Sequence, residues 1–356
     1  MKLFKCQNCG QVLFFENRTC GRCGRQLGFL PEMGELSALE PGGAAGWRAF
    51  VAPEAGWWLC ANAEHDACNW LLPAGSAARY CLACRHNRTV PDLSANSNLT
   101  AWRKLEAAKH RLFYTLLRLR LPTPNRADDP KGGLVFDFLA DPPDPDAMKV
   151  MTGHNNGLIT LALAEADDAE REARRSQMGE PYRTLLGHFR HEVGHFYWDL
   201  LVRDGGKLDV CRAVFGDDRN DYAEALRRHY AEGPPPNWQE TYVSAYATSH
   251  AWEDFAETWA HYLHIVDSLE TASDFGLEVH PAIDANDLLH THSKVDPYRE
   301  GGFDGLIEVW LPLTIALNAM NRSMGLGDLY PFVLSPAVIG KLGFIHHLVH
   351  AQGKRA

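Results

Sequence analysis

Apolar residues fall at helical spacing in three stretches of the chain. Leu185, Leu186, Phe189, Phe196 and Leu200 recur at intervals of three, four and seven, the repeat of a helix with one buried face. Trp102, Leu105, Leu112, Phe113, Leu116 and Leu117 predict a helix farther upstream, stopped by Pro122-Thr123-Pro124 because proline lacks the amide hydrogen the next turn needs. In the third stretch Trp252, Phe255, Ala256, Trp259 and Leu263 surround a polar row of Glu253, Glu257 and His261. Ser249 is its expected cap, and acids in the first turn suit the helix dipole. Residues 132–139 and 156–163 read as strands. Residues 307–320 read as a helix interrupted at Pro312. Residues 31–46, rich in proline, glycine and alanine, read as a connection, and residues 92–99 as a polar break. Residues 167–175 read as a charged, solvated stretch and 233–236 as a surface turn.

The polar row turns the question from packing to chemistry. His191-Glu192-Val193-Gly194-His195 places two imidazoles one helical turn apart on one face, so both can aim a ring nitrogen at one point. A catalytic zinc takes three protein ligands and keeps a fourth position for water. Glu192 lies beside the first ligand, where it can take a proton from that water and pass it to a leaving amine. A third histidine six residues past the motif is absent, since Leu201 stands there. Glu253 is the favoured third ligand, with Asp254 and His261 as alternatives. Glu257, one turn beyond Glu253, can accept the spare N–H of a ligand histidine and fix its tautomer.

Eight of the nine cysteines fall into two groups of four. Cys6-x2-Cys9 and Cys20-x2-Cys23 have zinc-ribbon spacing, with Gly10, Gly21 and Gly24 allowing tight turns. Cys60, Cys68, Cys81 and Cys84 form a second set with a wider first gap, where His65 is an alternative ligand. Cys211 reads as a small buried apolar residue.

These segments carry two resemblances. Residues 242–248 followed by Glu253-Asp254-Phe255-Ala256-Glu257 resemble the gluzincin metallopeptidases related to anthrax lethal factor. That resemblance implies Glu253 as zinc ligand and Tyr246, seven residues ahead of it, as the donor that stabilises the tetrahedral intermediate; Tyr242 is the competitor. In zinc peptidases of this build an edge strand before the metal helix receives the substrate backbone, a role that Leu158, Ile159 and Thr160 would fill. An interior strand without substrate contact is the alternative. The order of parts, with Trp58-Leu59-Cys60 through Cys68-Asn69-Trp70-Leu71 and Cys81-Leu82-Ala83-Cys84-Arg85-His86-Asn87, is similar to a bacterial family that fuses a zinc ribbon to a zinc-binding metallopeptidase domain.

The expectation is an α+β protein: a first zinc ribbon over 1–30, a second ribbon-like module over 31–95, and a mainly helical, zincin-like metallopeptidase domain with a small sheet over 96–356. It would hold one catalytic and two structural Zn2+ ions and cleave a peptide or protein substrate, with Glu192 as base. Two alternatives are an adaptor whose peptidase fold is inactive and a protease recruited to nucleic-acid-bound proteins. A net charge of −10 argues against a chain that coats nucleic acid, while Arg18, Arg22 and Arg25 leave the ribbons a protein or nucleic-acid partner. No apolar run approaches the ~20 residues of a membrane helix, and the amino terminus lacks a signal-peptide core, so a cytoplasmic location is expected. His346, His347 and His350 read as surface residues.

Overall fold

Short strands at the cysteine-rich end give way to long amphipathic helices in a computed structural model. It describes residues 1–142, 144, 146–171, 184–283, 288–292, 294, 296–299 and 302–351; residues 172–175 of the predicted charged stretch lie outside these. The chain divides into two compact units, Met1–Asp168 and Ala169–Ala356.

In the first unit β1 (Phe4–Lys5) and β2 (Val12–Leu13) form a hairpin. β3 (Leu27–Leu30), β4 (Glu35–Pro41), β5 (Trp47–Ala49), β6 (Ala52–Leu59) and β7 (Leu71–Pro73) form an antiparallel five-stranded sheet in sequence order. Residues 31–46 are therefore not a linker. Leu36, Ala38 and Leu39 of β4 are fully or nearly fully buried. Leu30, Leu39, Ala49, Trp57 and Leu71 share one core cluster, and burying them outweighs the turn-forming composition around them. The three arginines near the first ribbon are engaged locally: Arg18 pairs with Asp66 at 3.1 Å, Arg22 reaches the Cys9 carbonyl, and Arg25 lies over the Phe50 ring.

α1 (Asn96–Arg118) buries Trp102, Leu105, Leu112, Phe113 and Leu116, as its periodicity predicts. β8 (Asn87–Thr89), β9 (Val135–Leu139), β10 (Gly153–Asn155) and β11 (Leu158–Ala162) form a mixed sheet in the order β10-β11-β9-β8. β11 is interior: it pairs antiparallel with β10 and parallel with β9. This corrects the expectation for Leu158, Ile159 and Thr160, whose main-chain groups meet neighbours on both sides and cannot accept an added peptide strand.

The second unit is mainly helical. α2 (Leu185–Tyr197) is capped by Thr184 and runs into a π turn over Trp198–Arg203. α3 (Leu208–Phe215) and α4 (Tyr222–Glu232) follow, then α5 (Ala251–Asp274), whose cap is His250 and not Ser249. His250 Nδ1 accepts the Trp252 amide at 3.1 Å, so an imidazole does the work expected of a hydroxyl. α2 packs on α5 around Tyr197 and Trp259, whose rings stack with centroids 4.8 Å apart. Gly194 lets the two backbones close up: a Cβ there would stand 3.0 Å from Ala256 Cα. Arg190 is tied through its guanidinium to the buried carboxylate of Asp267, which also accepts the Tyr298 hydroxyl.

β12 (Glu278–Val279) and β13 (Thr291–His292) pair antiparallel ahead of α6 (Phe303–Ser323) and α7 (Pro336–His350). α6 runs through Pro312 without interruption, because burial of Trp310 and Leu313 around it compensates one lost main-chain bond. Among the described residues α6 is the helix long and apolar enough by length and composition to cross a membrane. It packs on α5 and α7 and buries Phe303, Leu306, Ile307 and Trp310, as a core helix does. His346 is not a surface residue: it is buried, with its Nδ1 3.1 Å from the Tyr262 hydroxyl, and His350 lies 3.4 Å from the same oxygen. Among the predicted surface histidines, His347 is exposed.

Candidate metal centre

Helical phase puts His191 and His195 on the face of α2 that meets α5, and Glu253 in the first turn of α5 faces them. His191 Nε2 and His195 Nε2 are 3.2 Å apart, and Glu253 Oε2 lies 3.0 Å from the first and 3.4 Å from the second. Ligand bonds of 2.0–2.2 Å in tetrahedral directions give edges of about 3.4 Å, so this triangle fits a zinc ion within a few tenths of an ångström. Glu253 Oε2 is buried and receives no hydrogen bond, although it faces two imidazole nitrogens. A carboxylate oxygen so placed is expensive unless a cation satisfies it.

The surrounding groups hold these three atoms in position. His191 Nδ1 lies 2.7 Å from Glu257 Oε1, and the other Glu257 oxygen accepts the Ser244 hydroxyl at 2.6 Å. Burial alone would raise the Glu257 pKa, but His191 brings it down to about 2. Burial likewise opposes charge on His191, yet Glu253 and Glu257 hold its pKa well above the ordinary imidazole value. Glu253 is kept well below the carboxylate range by His195 and His191 despite its burial. An environment negative enough to draw a proton to His191 also draws a divalent cation. The Trp252 ring lies against the His195 ring with centroids 3.7 Å apart.

Tyr222 is a functional candidate that the sequence did not reveal. Its hydroxyl donates to Glu253 Oε1 at 2.6 Å, so Glu253 has one oxygen held by a phenol and the other directed at the histidines. Tyr246, on a short helical turn before α5, has its ring 5.9 Å from that of His191. Burial, then the nearby Glu253 charge, pushes both phenols well above their ordinary pKa, and Glu192 acts on both in the same sense. Both therefore stay protonated and able to donate. Glu192 itself is buried beside His191.

The alternatives lie elsewhere. Asp254 is bound to Lys341 at 2.6 Å, and the Tyr242 ring sits under that same ammonium at 4.2 Å. His261 Nδ1 pairs with the Tyr330 hydroxyl at 2.7 Å. Ser244 could have been singled out from the run Tyr242-Val243-Ser244-Ala245-Tyr246, whereas no local signal marks Tyr222, which belongs to another helix.

Removing the Glu257 carboxylate leaves His191 in place but without its orienting partner. Glu257→Ala is expected to weaken metal affinity about 10–100-fold, read by competition with a zinc chelator. Unchanged affinity would remove Glu257 from this role.

Both cysteine groups come together within the first unit. Cys6, Cys9, Cys20 and Cys23 converge, with Cys6–Cys23 and Cys9–Cys20 sulfur separations of 3.8 and 3.5 Å. Tetrahedral Zn–S bonds of 2.3 Å imply about 3.8 Å. The two knuckles match: Gly10 N reaches the Cys6 carbonyl at 2.8 Å and Gly24 N the Cys20 carbonyl at 2.9 Å, each glycine at positive φ. Gly21 needs no such backbone.

Cys60, Cys68, Cys81 and Cys84 also converge and are all buried, with Cys68 and Cys81 sulfurs 3.7 Å apart. His65 is outside this group, 3.4 Å from Glu64 on the partly exposed surface. The histidine at the cluster is His110 of α1, whose Nε2 lies 3.2 Å from Cys68 Sγ and 3.5 Å from Cys84 Sγ. Its Nδ1 lies 2.6 Å from the Glu106 carbonyl oxygen. All nine cysteines are free of disulfides, and Cys211 is buried as expected.

Two helix-borne histidines and a glutamate on a facing helix form a group that could hold a metal ion, the chemistry of a zinc-binding class of protein. Residues 98–348 match the family described as "Putative zinc-binding metallo-peptidase", and residues 3–95 match a zinc-ribbon domain. The chain belongs to that zinc-binding metallopeptidase family. The uncharacterized proteins Mb2598c of Mycobacterium bovis and Rv2568c of Mycobacterium tuberculosis are each 45% identical to it over 350 residues, 98% of this chain and 95% of theirs. No solved structure matches the chain.

Proposed function

We propose that this protein is a zinc-dependent peptidase of gluzincin type, with His191, His195 and Glu253 as ligands of the catalytic ion and the two cysteine groups holding structural zinc. The observation that carries this reading is the triangle of two imidazole nitrogens and one carboxylate oxygen with edges of 3.0–3.4 Å. When bound there, zinc supplies Lewis acidity toward water and the scissile carbonyl. Glu192 takes the proton from the attacking water and delivers it to the leaving amine. The Tyr246 phenol, kept protonated by burial, supplies a hydrogen bond where negative charge grows on the carbonyl oxygen, while Tyr222 spends its proton on Glu253 Oε1 and holds that ligand. Glu257 and Ser244 hold His191 in the tautomer whose Nε2 faces the ligand point. The substrate is a peptide or protein, cleaved internally, and the location is the cytoplasm.

The test is metal removal. The full chain should cleave a fluorogenic peptide library, lose that activity with 1,10-phenanthroline, and regain it with stoichiometric Zn2+. Cleavage that persists at full chelation of the catalytic ion overturns the reading.

A further inference from the structure

The hairpin of β12 and β13 brings together three histidines, with a glutamate beside them, that the centre on α2 and α5 does not use. The register pairs Glu278 with His292 and Val279 with Thr291. Extended by one residue, it sets His280 opposite His290. Alternation along a strand then directs Glu278, His280, His290 and His292 to one face of the ladder.

The side chains meet as this register requires. His290 Nε2 and His292 Nε2 are 3.1 Å apart, and one nitrogen from each of His280, His290 and His292 lies within 4.8 Å of the others. Glu278 spans the group: Oε2 is 3.4 Å from His280 Nε2 and Oε1 is 3.4 Å from His292 Nδ1. The ring centroids of His280 and His290 are 4.0 Å apart.

Apolar packing does not account for this convergence, because the side chains of His280 and His292 are 48% and 56% exposed. Three imidazoles crowded at a wet surface gain little from burial and repel once protonated. A cation shared among their nitrogens reverses that balance. Three imidazoles are a donor set for zinc, nickel or copper, and not for magnesium or calcium, which take oxygen.

We propose that His280, His290 and His292, steadied by Glu278 beside them, form a separate, exchangeable binding site for a borderline divalent transition-metal ion such as Zn2+ on the β12–β13 hairpin. The site is open to solvent and offers three neutral imidazoles where each cysteine group offers four thiolates, so its ion exchanges while theirs stays. The hairpin packs on α6, and α6 packs on α5, the helix that carries Glu253. Occupancy therefore fastens the loop segment that leaves the helix bearing Glu253.

The test uses the tag-free full chain carrying its tightly bound zinc, titrated calorimetrically with Zn2+ alone. One further equivalent should bind, and His290→Ala/His292→Ala should weaken that step at least tenfold. His280→Asn should also weaken it. Cu2+ bound at the same place should show nitrogen couplings in its electron paramagnetic resonance spectrum that the double variant loses. No added equivalent in the unaltered chain, or an unchanged isotherm and spectrum in the double variant, overturns the proposal. These readouts need no peptide hydrolysis, so they stand or fall apart from the peptidase reading.

Discussion

Glu192→Gln is expected to lower peptide hydrolysis by about 10³-fold or more while leaving the metal content of the chain unchanged. The substitution keeps the size of the side chain but removes the group that can accept a proton. Glu192 sits in the buried turn between His191 and His195, so glutamine should fill the same space. Other groups hold the imidazoles: Glu257 faces His191 Nδ1, and the Trp252 ring lies against His195. Parallel elemental analysis and steady-state kinetics on the purified variant separate the two effects. Wild-type turnover with full zinc would sink the assignment of the base, whereas loss of both zinc and activity would move Glu192 into a structural role.

The second large effect lies far from the chemistry in sequence. Cys68→Ser should eject one zinc ion and unfold the module around it. Cys68 Sγ is at the junction of the cluster: it approaches Cys81 Sγ at 3.7 Å and His110 Nε2 at 3.2 Å, and accepts the Trp70 amide at 3.3 Å. A structural zinc contributes roughly 10–16 kcal/mol in small modules, which matches or exceeds the 5–15 kcal/mol that stabilises a typical domain. Without it, His110 and the remaining sulfurs are left as buried polar groups without a common partner. Hydrogen exchange should show lost protection across residues 60–84 and over the face of α1 that carries His110. A variant with unchanged zinc stoichiometry and unchanged protection would show that this cluster does not hold structural zinc.

The parts of this architecture that are local in the chain were legible in its sequence. His191 and His195 are related by one turn of helix, and Glu253 and Glu257 by another, so spacing alone brought each pair to one face. The match of Cys6-x2-Cys9 to Cys20-x2-Cys23 was legible for the same reason. Long-range pairing was not. β11 could be taken for an edge strand because its parallel partner β9 lies across an intervening segment, and residues 31–46 looked like a linker because proline, glycine and alanine surround the short buried run Leu36–Leu39 that forms β4. Tyr222 was invisible because its contact with Glu253 joins two separate helices. His110 stayed hidden among the apolar positions of α1, where a histidine on the packed face reads as core until the cysteines opposite it are seen. His250 displaced Ser249 as cap because the side-chain acceptor that reaches the amide is chosen by backbone direction, which composition does not reveal.

The close approach at Gly194 and Ala256 has a consequence for how the proposed ion would be held. Ligands carried by helices already locked together have surrendered their freedom during folding, so capturing the ion costs little further ordering. Affinity at such a centre is then borrowed from the seam between two helices. A methyl group added at Gly194 touches no ligand, yet it would wedge the backbones apart where a Cβ already stands 3.0 Å from Ala256 Cα. The seam behaves as the jaw of a caliper: its opening, set by two small residues, fixes the bite that His191, His195 and Glu253 present.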